Sequence, residues 1–119
     1  MEKTIVILGP QDSDKTALSD VIAEDHYKAL FINSNDIPEL QYIIRSDPEI
    51  ITIDEVNKIT DDLKNLILAD KIKLPNGNQI ERPLLIIISN NLFPKDFEDF
   101  PNIKIFMLGN YSTKSYQES

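Results

Sequence analysis

Apolar residues along the chain fall into two patterns. Five short runs are almost continuously apolar and rich in Ile and Val: 4–8 (TIVIL), 29–32 (ALFI), 50–53 (IITI), 84–88 (LLIII) and 103–108 (IKIFML). Runs of this length are expected of strands buried on both faces, as in a parallel sheet. Between them apolar residues recur at helical spacing: Leu18, Val21 and Ile22, then Leu40, Ile43 and Ile44, then Leu63, Leu66 and Ile67. Each set makes one apolar face of a helix. Asp36, two residues before Pro38, and Thr60, before Asp61 and Asp62, are candidate caps; Asp47-Pro48 marks the end of the second helix. Strand and helix alternate three times and two strands follow. This order predicts an α/β fold, a three-layer sandwich on a five-stranded, mostly parallel sheet with right-handed crossovers.

One segment departs from the rhythm. In 71–83 (KIKLPNGNQIERP), Ile72 and Leu74 alternate with polar residues, Asn76-Gly77 follows, and Ile80 comes after it. That pattern predicts a β-hairpin arm closed by a type I′ turn. Lys71, Lys73 and Arg82 flank the arm away from its tip and are expected to be solvated. The end, 109–119 (GNYSTKSYQES), is polar and aperiodic and reads as a tail, which leaves one domain over 1–108.

Composition then narrows compartment and partners. The absence of Cys among 119 residues excludes disulfide scaffolds, Cys-based zinc sites and thiol chemistry, and fits a reducing compartment, so a cytoplasmic location is expected. No apolar run approaches the ~18 to 20 residues of a membrane span, so no membrane association is expected. A net charge of -8 argues against general binding to nucleic acid, whose phosphates the average surface repels. A protein partner or a homo-oligomer stays open.

Ligands of open α/β sheets bind beyond the carboxyl ends of the strands, and three of those ends hold unusual residues. After the first strand comes Gly9-Pro10-Gln11-Asp12-Ser13-Asp14-Lys15-Thr16, leading into the first helix. It has the length and order of the phosphate-binding loop G-x-x-x-x-G-K-[ST], in which backbone N–H groups cradle phosphates, the Lys reaches the terminal ones and the hydroxyl ligates Mg²⁺. Gly9, Lys15 and Thr16 match it, and Asp14 stands at the second Gly. The third strand ends in Asp54-Glu55, an acid pair suited to holding a Mg²⁺ shell and polarising an attacking water. The fourth ends in Ser89-Asn90-Asn91, from which an amide can orient that water.

On these residues the chain resembles P-loop NTPases of the AAA+ and superfamily 3 helicase-like type. TIVILGPQDSDKTALSDVIAE is similar to their Walker A strand, loop and helix, IITIDE to their Walker B, and LLIIISNN to the strand that ends in a polar sensor; 71–83 lies where they carry a hairpin. The resemblance implies ATP held by Gly9, Ser13, Asp14, Lys15 and Thr16, and Mg²⁺ by Thr16 and Asp54. It further implies Glu55 as the base and Asn90 as the sensor of a hydrolase. The chain departs from the family at both later loop glycines, where Asp12 and Asp14 stand, and no Arg follows Asn90 to act on a neighbouring nucleotide. A left-handed backbone at a non-Gly residue costs about 1 to 2 kcal/mol. A carboxylate about 4 Å from a phosphate charge costs on the order of 4 kcal/mol at an effective dielectric of ~20, roughly a thousandfold in affinity. Weak or lost ATP binding is therefore expected, with weak Mg²⁺-dependent hydrolysis at most.

Plainer readings stand beside this one. Asp14 is a natural helix N-cap. Lys15 could pair with Asp12, Asp14 or Asp54, and those three acids, if they converge, could hold Mg²⁺ without nucleotide. The whole chain could be a catalytically inactive P-loop fold serving as a binding or regulatory module. A phosphoacceptor receiver domain, with Asp54 and Ser89 at its strand ends, is the remaining alternative.

Overall fold

The computed structural model describes residues 3–24 and 28–109. In chain order the elements are β1 (Thr4–Leu8), α1 (Lys15–Ala23), β2 (Ala29–Asn33), a 3₁₀ segment (Ser34–Glu39) running into α2 (Leu40–Ile43), and β3 (Ile50–Asp54). Then come α3 (Asp61–Leu68), β4 (Lys71–Lys73), β5 (Gln79–Glu81), β6 (Leu84–Ser89), a second 3₁₀ segment (Pro94–Phe97) and β7 (Ile103–Met107). Five strands form one sheet in the order β2-β3-β6-β1-β7, and every pair in it is parallel. The continuous apolar runs are explained by cover on both faces. α1 packs on one face against Ile7, Ile50, Ile86 and Ile88. α2, α3, the hairpin and both 3₁₀ segments pack on the other, around Val6, Leu8, Ile51, Ile53, Leu85 and Ile87. The polar tail, 110–119, lies outside the described residues.

That division of the helices follows from strand order. The chain moves from β1 outward to β2 in one direction, and returns through β3 and β6 to β7 in the other. Crossovers of one hand then leave α1 on one face and all later connections on the opposite face. β1 and β6 are neighbours whose outgoing chains part to opposite faces, which opens a crevice at their carboxyl ends. This order also removes the receiver reading, because receiver-type sheets run 2-1-3-4-5 and counting only the five sheet strands gives 2-3-4-1-5 here.

The structure departs from the local expectations along the second helix, in the hairpin turn and at Arg82. The second helix is a single α turn preceded by a 3₁₀ segment that starts at Ser34. Its cap is Asn33, whose side chain accepts from Asn35 N at 3.0 Å while the Asp36 carboxylate accepts from Asn33 N at 3.1 Å. Pro38 inside this stretch has no N–H to extend an α-helical ladder. The helix also ends early, at Ile43, because Ile44 turns extended (ψ 121°) to bury its side chain. Thr60 does cap α3, accepting from Leu63 N at 3.2 Å.

The hairpin forms where expected, with a different turn. Gly77 N donates to Leu74 O at 2.9 Å and Leu74 N to Asn78 O at 2.8 Å, and Gly77 alone in the loop has positive φ (90°). This is a type I turn over 74–77 followed by a left-handed Gly bulge; a type I′ turn on Asn76-Gly77 would need an N–H at Pro75 to close the pair with Asn78, and Pro75 has none. Arg82 is buried rather than solvated. Its guanidinium donates to Lys3 O (2.6 Å), Pro83 O (2.9 Å), Ile67 O (3.0 Å), Ala69 O (3.3 Å) and Thr4 Oγ1 (3.3 Å), tying the arm to β1 and to the end of α3. Burial pulls its pKa below the ordinary value, and Asp70 pushes the other way. Lys71 remains exposed and pairs with Glu81 at 3.2 Å.

Candidate functional site

The loop between β1 and α1 starts at the crevice, where Gly9 N donates to Ser89 O at 3.3 Å across the strand ends. Gly9 has no room for a side chain: a Cβ there would lie 2.6 Å from Ser13 Oγ and 2.7 Å from Leu108 O. Asp12 (φ 67°) and Asp14 (φ 61°) both adopt the left-handed conformation. The two positions where a phosphate-binding loop carries Gly therefore keep the backbone that Gly suits, with carboxylates on it.

Asp14 occupies the N-cap position without acting as a cap. Its φ and ψ (61°, 28°) lie far from the extended conformation a capping side chain needs, and it makes no side-chain hydrogen bond to the helix. The first-turn N–H groups of α1 therefore receive no side-chain oxygen from Asp14, and Lys15, Thr16 and Ala17 of that turn line the cavity at the crevice.

Lys15 is buried and folds back over the loop. Its ammonium donates to Pro10 O at 2.5 Å and to Ser13 Oγ at 3.1 Å, and Ser13 Oγ itself donates to Pro10 O at 2.6 Å. Burial lowers the Lys15 pKa from its ordinary 10.5, and the charges of Asp54 and Asp12 raise it. Among the described residues no carboxylate lies within ion-pair distance of it, so the expected direct pairing is replaced by carbonyl and hydroxyl contacts.

Of the expected residues all but Gly9 border one cavity. A cavity of about 300 Å³ is lined by Asp12, Ser13, Asp14, Lys15, Thr16, Asp54, Glu55 and Asn90 together with Ala17 and Ile88. A second of about 630 Å³ continues over α1 and β7, with Leu18, Val21 and Leu108 as its apolar wall and Asp12 and Asp14 at its rim. Asp54 accepts from Glu55 N at 2.8 Å through Oδ1, and Glu55 itself has a left-handed backbone (φ 56°). Ser89 is spent on the following turn, accepting from Asn91 N (3.2 Å) and Leu92 N (3.0 Å), which leaves the exposed Asn90 facing the cavity. Asp12, Asp14 and Asp54 do not form a metal cage: among the described residues no group of three acids or His could hold a cation. Thr16 and Asp54 instead border one cavity, to which they bring a hydroxyl and a carboxylate.

Two further residues, Asn33 and Ser34, bear on the site. Asn33 donates its amide to Glu55 Oε2 at 2.6 Å and Ser34 Oγ donates to Glu55 O at 2.8 Å, so the end of β2 holds the acid at the end of β3. The Asn33…Asp36 spacing of a capping box was legible, but its second task depends on the pairing of Asn33 with Asp54 in the sheet.

No family model and no curated protein matches the chain. Among solved structures, the A-form apo structure of the NrS-1 C-terminal region is similar over 98% of this chain, with 22% identity and a TM-score of 0.61. The chain spans 33% of that structure's length. At this identity the likeness concerns the fold, an α/β domain on a parallel sheet. Among the described residues no helix is long and apolar enough to cross a membrane.

Proposed function

We propose that this is a P-loop NTPase-like domain whose nucleotide site is built but largely closed. The observation that carries this reading is the single cavity shared by the loop, the start of α1, Asp54, Glu55 and Asn90 at the crevice between β1 and β6. In this reading the loop N–H groups and Lys15 take the phosphates of ATP. Thr16 and Asp54 hold Mg²⁺, which when bound would neutralise phosphate charge. Glu55 accepts a proton from water, and Asn90 orients that water.

Two features oppose binding. Lys15 must leave Pro10 O and Ser13 Oγ to reach a phosphate, and Asp12 and Asp14 place like charge beside it. The wild-type domain accordingly binds ATP in the millimolar range or not at all, and its hydrolysis is slow. An inactive binding module is the limit of the same reading when affinity is lost entirely.

The test is titration calorimetry with ATP and Mg²⁺ on the wild type and on the Asp12→Gly/Asp14→Gly double variant. Removing the two charges is expected to raise affinity by roughly a hundredfold to a thousandfold. Stability should change little, because relief of left-handed strain offsets the flexibility Gly adds to the unfolded chain. Absence of binding in the double variant would refute the site, and low-micromolar affinity in the wild type would refute its closure.

A further inference from the structure

The five-stranded sheet is open, and its two edges are built differently. β7 carries Lys104, whose ammonium lies 5.3 Å from the Phe106 ring centre, a charge of the kind that keeps an edge from pairing. β2 (ALFIN) has no charge, no proline and no break in its register with β3, and no strand among the described residues pairs with its outer side. Phe31, the middle residue of β2, is 53% exposed. On the opposite face a cavity of about 260 Å³ opens beside the start of β2, floored by Leu30, Ile43 and Ile44. Its charged lining residues are Lys28 and Arg45, and neither has a carboxylate in ion-pair contact among the described residues.

We propose that β2 is an interface for a second copy of this chain, paired antiparallel to it about a two-fold axis through Phe31. The strand is self-complementary in this arrangement. Phe31 meets the partner's Phe31, Leu30 meets the partner's Ile32, and both aromatic rings fall on one face as a cross-strand pair. A two-fold normal to the sheet also keeps each 3₁₀ segment on the face of the Lys28 and Arg45 cavity, since Ile37 packs with Leu30 and Ile32 in one core. Pairing about Phe31 sets Lys28 of each copy against Ser34 of the other, where the 3₁₀ segment that carries Asp36 and the exposed Glu39 begins, so acids of one copy and the cations Lys28 and Arg45 of the other lie at the same end of the interface. This complementarity favours a second copy over an unrelated strand. The net charge of -8 repels two copies at long range, but at physiological salt a Debye length of ~8 Å screens that repulsion more than contact pairs. This interface does not depend on the nucleotide reading.

Sedimentation velocity from micromolar to millimolar protein at physiological salt tests it. A concentration-dependent dimer is expected. Phe31→Lys, which sets two ammonium groups across the axis, should weaken it about tenfold or more, with the melting curve preserved because Phe31 is half exposed. Arg45→Glu and Glu39→Arg should each weaken the dimer, and the Arg45→Glu/Glu39→Arg combination should restore it; this pair decides the matter even where Phe31→Lys unfolds. A monomer at millimolar concentration, or a dimer indifferent to these changes, overturns the proposal.

Discussion

The side-chain amide of Asn33 holds the carboxylate of Glu55 at 2.6 Å, although 22 residues separate them. Asn33 has two tasks, since its oxygen also caps the 3₁₀ segment by accepting from Asn35 N. Asn33→Asp separates them: the cap acceptor survives, and a donor to Glu55 becomes a second carboxylate. At neutral pH this variant should be less stable than wild type by about 1 to 2 kcal/mol, and less stable than Asn33→Ser, which adds no charge. The deficit should shrink as pH falls below about 4, where carboxylates protonate. Urea melts of the variants at two pH values measure it, and an unchanged deficit in acid contradicts like-charge repulsion as its source.

Lys15 predicts a pH dependence of stability. Its pKa is lowered in the folded state, burial being the larger cause, so near its folded pKa the native state sheds a proton that the unfolded chain keeps up to 10.5. Stability contributed by this group therefore rises with pH in the alkaline window below 10.5, and the burial penalty is present in full at lower pH. Relative to Lys15→Met, wild type should gain stability as pH is raised through that window. Thermal melts of both proteins along a pH series report the difference, and a falling difference would show that attraction to Asp54 and Asp12 outweighs burial.

Gly9 is defined by contact rather than by φ. An added Cβ would press on the Leu108 carbonyl oxygen at 2.7 Å, a backbone atom that cannot swing away, because Leu108 N is bonded to Leu8 O at 2.8 Å. Gly9→Ala should destabilise the domain by about 1 to 3 kcal/mol, as overpacking does. The shift should appear in denaturant midpoint at unchanged slope; a neutral result would mean that β7 can withdraw from the loop.

Arg82 gathers acceptors from three elements; Lys3 O also accepts from Leu85 N at 3.1 Å, so the carbonyls of Ile67, Ala69 and Pro83 are the ones that lose a side-chain donor without it. Arg82→Met should cost about 3 to 5 kcal/mol. Arg82→Lys should recover only part of this, since one ammonium cannot reproduce the planar fork that reaches Lys3, Ile67 and Ala69 together. Chemical denaturation orders the three proteins, and equality of Lys with Arg would reduce the residue to a charge.

The sequence by itself determined the elements. Strands buried on both faces need continuous apolar runs and helices need one apolar stripe, and both signals are local and repeated, so each expected sheet strand lies within one residue of its observed bounds. It also determined which residues lie near the crevice, because Gly9, Lys15, Asp54 and Asn90 all sit at strand ends or helix starts and any parallel α/β sheet gathers such ends on one side. Turn type and helix length depended on finer competition, Pro75 against Asn76-Gly77 and Pro38 against an α ladder. Only the tertiary structure decided the rest. Strand order brought β6 between β1 and β3 and set Asn33 beside Asp54. Burial turned Arg82 from a surface cation into a clamp. Asp12 and Asp14 take left-handed backbone, and Asp14 makes no side-chain bond to the helix whose N-cap position it holds. These outcomes rest on contacts between residues distant in sequence, whose energies no local pattern of side chains records.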